Sequence, residues 1–176
     1  MVPTHALRFQ SMLRAMTEVV IPALDPSQRL ALDQANIVAG NLRILIEQAG
    51  HCGDYDRTEL REYRQLALAL LELWRDETAT PAATAHAGSL GLPAPEGEQA
   101  LGELLLQTKQ TVDELLKLAL ASQQPQIRQR AAALALQQAA LQLTRERVWF
   151  AASGFELDRT TLPSIDDVLT NRALIG

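Results

Sequence analysis

Arg145 stands where the helical pattern asks for an apolar residue. From Gln126 to Ser153, one stripe at helical spacing holds Ile127, Ala131, Leu134, Leu141, Val148, Trp149 and Ala152. Arg145 projects into this stripe, with Gln138 two turns earlier. A buried guanidinium is costly unless it is paired and fully hydrogen-bonded. Arg145 therefore needs a carboxylate, several carbonyls, water or an anionic ligand. One reading is structural: Arg145 is held by a carboxylate or by Asn41, or it snorkels to the surface. The other is a small pocket for a carboxylate or phosphate, with Arg145 as the fork and Trp149 as a wall. A second helix offers similar chemistry, because Asn41 projects between Leu30, Ile37, Ile44 and Leu45, with Gln34 beside it. Arg145, Trp149, Asn41, Gln138 and Gln34 are thus the candidate ligand-binding residues.

Other chemistry is thinly represented. His51, Cys52, Asp54 and Asp56 crowd into one short stretch with metal-ligand side chains, but a solvated turn with helix caps explains them more simply. His51 and Cys52 are sequence neighbours, which rarely meet in the geometry of a nucleophile and its base. A di-metal carboxylate bundle needs Glu-x-x-His on two helices, and the chain has none. Neither a phosphate-binding glycine loop nor a nucleophile-elbow motif is present. Inward polar residues without a titratable pair argue against catalysis. No metal and no cofactor is expected, and an enzyme is the less favoured reading.

The elements that must position these residues are helices. The 176 residues suffice for one domain, and aromatics make up only 4%, so the core must be Leu, Ala, Ile and Val. The first helix should run from Thr4 to Ile21 and end at Pro22. Asp25–Gly50 reads as the central helix, capped by Asp25 with Pro26 in its first turn and stopped by Gly50. Its apolar residues cover an arc of about 240°, which asks for neighbours on several sides. A third helix should span Arg57 to Glu77 after a polar HCGDYD turn, with Asp56 and Glu59 as a capping box. Leu60, Tyr63, Leu66, Ala67, Leu70, Leu71, Leu73 and Trp74 form its apolar face, and Arg61, Arg64 and Gln65 face away.

Residues 78–97 carry three prolines and several glycines among small residues, and read as a long flexible loop. A fourth helix runs from Glu98 to Ser122, and Pro125 sits where a tight turn should start a fifth. That fifth helix has a second apolar stripe of Ala132, Leu136, Ala139, Leu143 and Phe150, on nearly the opposite side from the first. The 78–97 loop, the 154–176 tail or a second copy of the chain should cover it. A homodimer is the preferred reading, with Leu136, Ala139, Leu143 and Phe150 at the interface. Ser164 should cap one short C-terminal helix. The expectation is a single all-α domain, an up-and-down bundle of four to five main helices.

A net charge of −5 argues against a general nucleic-acid surface and against binding to anionic membranes. No apolar run is long enough to span a bilayer, and no signal peptide is evident. Cys52 is the only cysteine, which fits a reducing, cytoplasmic setting.

The runs M-T-E-V-V-I-P-A-L from Met16 to Leu24 and R-L-A-L-D-Q-A-N-I-V-A-G-N-L-R-I-L-I-E from Arg29 to Glu47 resemble the N-terminal half of a family of short bacterial helical proteins. That family has no assigned activity, and its members tend to be encoded beside aminoglycoside-phosphotransferase-like and acyl-CoA-dehydrogenase-like proteins. The resemblance implies an accessory role beside an enzyme. The residues themselves point the same way, to a non-catalytic bundle acting through protein–protein contacts, with small-molecule binding around Arg145 as the alternative.

Overall fold

The computed structural model describes residues 3–74, 90, 91, 93–154 and 156–170. Among these the architecture is all-α. The helices are α1 (His5–Ala15), α2 (Ile21–Ala23), α3 (Arg29–Gln48), α4 (Cys52–Glu72), α5 (Glu98–Leu120), α6 (Pro125–Trp149) and the short α7 (Ile165–Leu169). The chain divides into two compact units. Met1–Cys52 with Thr144–Gly176 form the first, and Gly53–Leu143 form the second.

The second unit holds the main hydrophobic core, built from α4, α5 and the first part of α6. Leu66, Ala67 and Leu70 of α4, with Trp74 just past its end, pack with Val112, Leu115 and Ala119 of α5 and with Ile127 and Ala131 of α6. Burying each leucine contributes about 1.5–3 kcal/mol. A smaller cluster joins Leu60 to Leu101 and Leu105 nearer the start of α5. The periodicities of α4 and α5 foretell these faces. Most of the expected 78–97 loop lies outside the described residues, but Leu90 is described, and it is buried in the main core. Pro125 opens α6 at its first position, as the SQQPQ turn suggests.

In the first unit, α1 and α2 pack against α3. Thr4 caps α1 by accepting from the Leu7 N–H at 3.3 Å. Pro22 does not end this helix as expected: the chain stays helical through it to Ala23. A π-helical turn, Met16–Val20, makes this possible. Proline has no N–H to give the carbonyl four residues back, and its ring crowds that carbonyl. Widening the turn relieves both faults, and the Ile21 N–H donates to the Met16 carbonyl, five residues back.

Three local expectations need correction. Asp25 does not cap α3. Its carboxylate accepts from the Ser27 N–H at 2.9 Å, forming a separate turn, and the helix starts at Arg29. HCGDYD is not a turn either. Gly50 takes the left-handed conformation (φ 99°), as expected, and α4 begins at once from Cys52. Asp56 therefore lies inside α4 and does not cap it. Third, α3 is less enclosed than its apolar arc suggests. Ala35, Ala39 and Leu42 are buried, but Leu30 is 75% and Ile37 55% exposed. An apolar arc shows what could be buried, whereas monomer surfaces routinely carry apolar atoms.

The C-terminal segment obeys its sequence signals closely. Gly154 ends a 3-10 turn, Ala151–Ser153, with φ 85°. Ser164 caps α7 by accepting from the Asp167 N–H at 3.1 Å, and its hydroxyl donates back to the Asp167 carboxylate at 2.7 Å. Val168 and Leu169 are buried.

Candidate functional site

Three helices of the second unit share a polar ladder that periodicity does not reveal. Glu59 and Glu62 of α4 are both buried. Lys109 of α5 places its Nζ 2.8 Å from Glu59 Oε2 and 5.2 Å from the centroid of the Tyr63 ring. The Tyr63 hydroxyl donates to Gln142 Oε1 at 3.1 Å, and Gln138 Nε2 donates to Glu62 Oε2 at 3.4 Å. The buried carboxylates thus meet donors from the facing helices, the condition for tolerating such groups inside a bundle. The available signal is one polar residue in the facing stripe of each helix at matching depth, Lys109 on α5 and Gln138 on α6.

Asp56 sits one turn before this ladder. Burial raises its carboxyl above the ordinary carboxylate range; Glu59 and Glu98 add to the rise, and Lys109 opposes it. A carboxyl with a raised folded-state pKa favours folding most below its unfolded value, and that contribution is lost as pH rises through the folded value. At neutral pH the Asp56 charge therefore costs stability. We expect Asp56→Asn to raise the melting temperature at about pH 7 by a few degrees at most. The gap from wild type should close towards about pH 3, as thermal melts across that range would record.

Beside the ladder runs a cleft between α4 and α6. One part, of about 360 Å³, is lined by Ala69, Glu72, Leu73, Arg130, Ala133, Leu134 and Gln137. It continues past Ala69, Leu134 and Gln137 into a further 180 Å³ walled by Glu62, Gln65, Leu66, Gln138 and Leu141. The floor is aliphatic and the rim is amide and charge. Arg64 does not simply face solvent as expected: its Nε and Nη2 are buried, with no hydrogen-bond partner among the described residues.

The sequence candidates are dispersed. Gln138 belongs to the second unit and borders the cleft. Arg145, Trp149, Gln34 and Asn41 belong to the first. Arg145 is 2% exposed and is engaged within the fold, although its Nε and Nη2 are buried and make no hydrogen bond among the described residues. Trp149 is half-buried, whereas Gln34 and Asn41 are exposed on α3. Asn41 turns its amide back on its own helix, Nδ2 donating to the Ile37 carbonyl at 3.0 Å. The α3 side chain that reaches the end of α6 is instead Gln48, two turns beyond Asn41, whose Nε2 donates to the Trp149 carbonyl at 2.9 Å. Near it, Arg159 reaches Glu47 at 3.0 Å and His51 lies 3.7 Å from Asp166. A hollow of about 140 Å³ here is lined by Glu47, Val148, Ala151, Arg159 and the 162–165 segment. Arg145 and Trp149 line none of these three cavities.

The residues around His51 do not converge on a metal. His51 faces Asp166, the Cys52 thiol points to the Gln48 carbonyl at 3.7 Å, and Asp54 pairs with Arg57 at 3.3 Å. Among the described residues, no group of three His, Cys, Asp or Glu side chains could hold a metal ion, and no helix is long and apolar enough to cross a membrane.

Apolar surface is the other prominent feature. On α3, Leu30, Ile37, Val38 and Leu45 are exposed, with Gln34 and Asn41 between them. On α6, the second stripe is exposed, with Leu136 at 72%, Leu143 at 59% and Ala132 and Ala139 between, and so is Phe150 just past the helix end. Among the described residues the fold is all-α, with apolar side chains exposed on faces of α3 and α6. Comparisons with protein-family models, curated proteins and solved structures found no match to this chain.

Proposed function

We propose that this protein acts without catalysis, through protein–protein contacts, as an accessory to an enzyme in the cytoplasm. The observation that carries this reading is the outward face of α3. Leu30, Ile37 and Ile44 recur at seven-residue spacing, and Gln34 and Asn41 alternate with them. This is the seam a partner helix covers, with apolar knobs for affinity and amides to fix the register. Leu30 and Ile37 stand largely in solvent on the single chain. The polar ladder supports the same reading, since its carboxylates are committed to neighbouring helices.

Ile37→Glu/Leu45→Glu tests the reading. Both side chains are exposed, so the variant should fold and melt like wild type. Tagged wild type, isolated from its native cells, should retain one partner protein in stoichiometric amount, and the variant should lose it. A partner held equally well by the variant, or none retained by wild type, would overturn the proposal.

A further inference from the structure

The cleft between α4 and α6 lies wholly within the second unit, and the charges along it are unevenly committed. Glu72 and Arg130 stand at its wider end. Glu62 and Gln138 stand at its narrower end, where Gln138 Nε2 donates to Glu62 Oε2. Both glutamates already have partners within the chain. Arg130 is exposed and has no hydrogen bond or ion pair among the described residues.

Between the two ends the floor is aliphatic. Leu73 and Leu134 are half-buried and rest on the main core, and Leu66 and Leu141 lie further in. The small side chain of Ala133 leaves the wider end open. The two parts, of about 360 and 180 Å³, together have the size of a small-molecule pocket. From Arg130 to Gln138 is eight residues, or about 12 Å along α6.

These features select a ligand with one negative charge at one end of a slim apolar body. The planar fork of Arg130 suits a carboxylate. Glu62 and Glu72 repel a second negative charge, which disfavours dicarboxylates and phosphate monoesters. We infer that the cleft binds a straight-chain monocarboxylate of about ten carbons, the length that runs from Arg130 to Gln138. The carboxylate pairs with Arg130, and the chain lies over Leu73 and Leu134. This goes beyond contact through α3 and does not rest on it.

Titration calorimetry of the purified protein with decanoate tests the site. Wild type should bind decanoate at one class of site, with a dissociation constant on the order of 10–100 µM. Octanoate, two methylenes shorter, should bind about tenfold more weakly. Arg130→Gln should weaken decanoate binding about fivefold. Ala133→Phe, which fills the wider end, should weaken it at least as much. Both positions are exposed, so both variants should melt like wild type in the absence of ligand. Decanedioate and decylamine should bind about tenfold more weakly than decanoate. Leu136→Glu/Leu143→Glu, on the outer stripe of α6, should bind decanoate as wild type does. A wild type with no saturable binding below about 1 mM sinks the inference. So does an affinity unchanged by Arg130→Gln or by Ala133→Phe, or decylamine bound as tightly as decanoate. Loss of binding in the outer-stripe variant sinks it too, because the chain would then be coating an exposed face. The α3 test uses neither the cleft nor decanoate, so either proposal can fail alone.

Discussion

Leu70→Asp should leave the second unit unable to fold cooperatively at 25 °C. Leu70 is fully buried in the main core, among residues of α4, α5 and α6. The substitution removes the burial of a leucine, about 1.5–3 kcal/mol, and places a carboxylate with no counter-ion among aliphatic side chains. Such a charge must bind a proton or open the structure, at a further cost of several kcal/mol. Domain stabilities of about 5–15 kcal/mol leave little after such a loss. Leu118→Asp, at an exposed position of α5, is the matched control and should stay within about 0.5 kcal/mol of wild type. Circular dichroism melts read both. A Leu70→Asp protein that melts within a few degrees of wild type would show that the described core is wrong.

The second large effect concerns Arg145. A side chain buried this completely and engaged within the fold works as part of the core, even though it is charged. Truncating it leaves a cavity and strands whatever polar groups it holds. Arg145→Ala should therefore cost about 3–5 kcal/mol, or roughly 10 °C in melting temperature. The alternative, an arginine kept for a carboxylate or phosphate ligand, predicts the opposite. Arg145→Ala would then be at least as stable as wild type, and inorganic phosphate would raise the melting temperature of wild type alone.

Sequence reasoning succeeds in this chain where one physical signal dominates. The stripes of α4 and α5 are legible because every apolar residue at 3.6-residue spacing has a facing helix to bury it. Pro125, Gly154 and Ser164 act within a few residues of themselves, and each sets the boundary its chemistry implies. The helical pattern marks Arg145 as a buried charge, but it offers Asn41 as a holder, and Asn41 turns to its own helix. Which turn of α3 reaches the end of α6 depends on how the chain packs, and the answer is Gln48. Glu59 and Glu62 escape the pattern because a charge beside an apolar stripe normally marks its solvent edge. The lysine and the glutamine that meet them, on helices some 50 and 76 residues away in the chain, help to make them interior residues. For α3, helical periodicity locates the apolar arc but cannot count its neighbours.

The π-helical turn between α1 and α2 has a meaning for how this chain can vary. An added residue in an ordinary helix turns everything beyond it by about 100°. A π turn holds the extra residue in one widened loop of backbone, so Ile21 and Leu24 keep their half-buried positions and α2 stays packed on α3. Met16–Val20 is then the place where the first helix can gain or lose one residue in evolution without repacking α2 against α3.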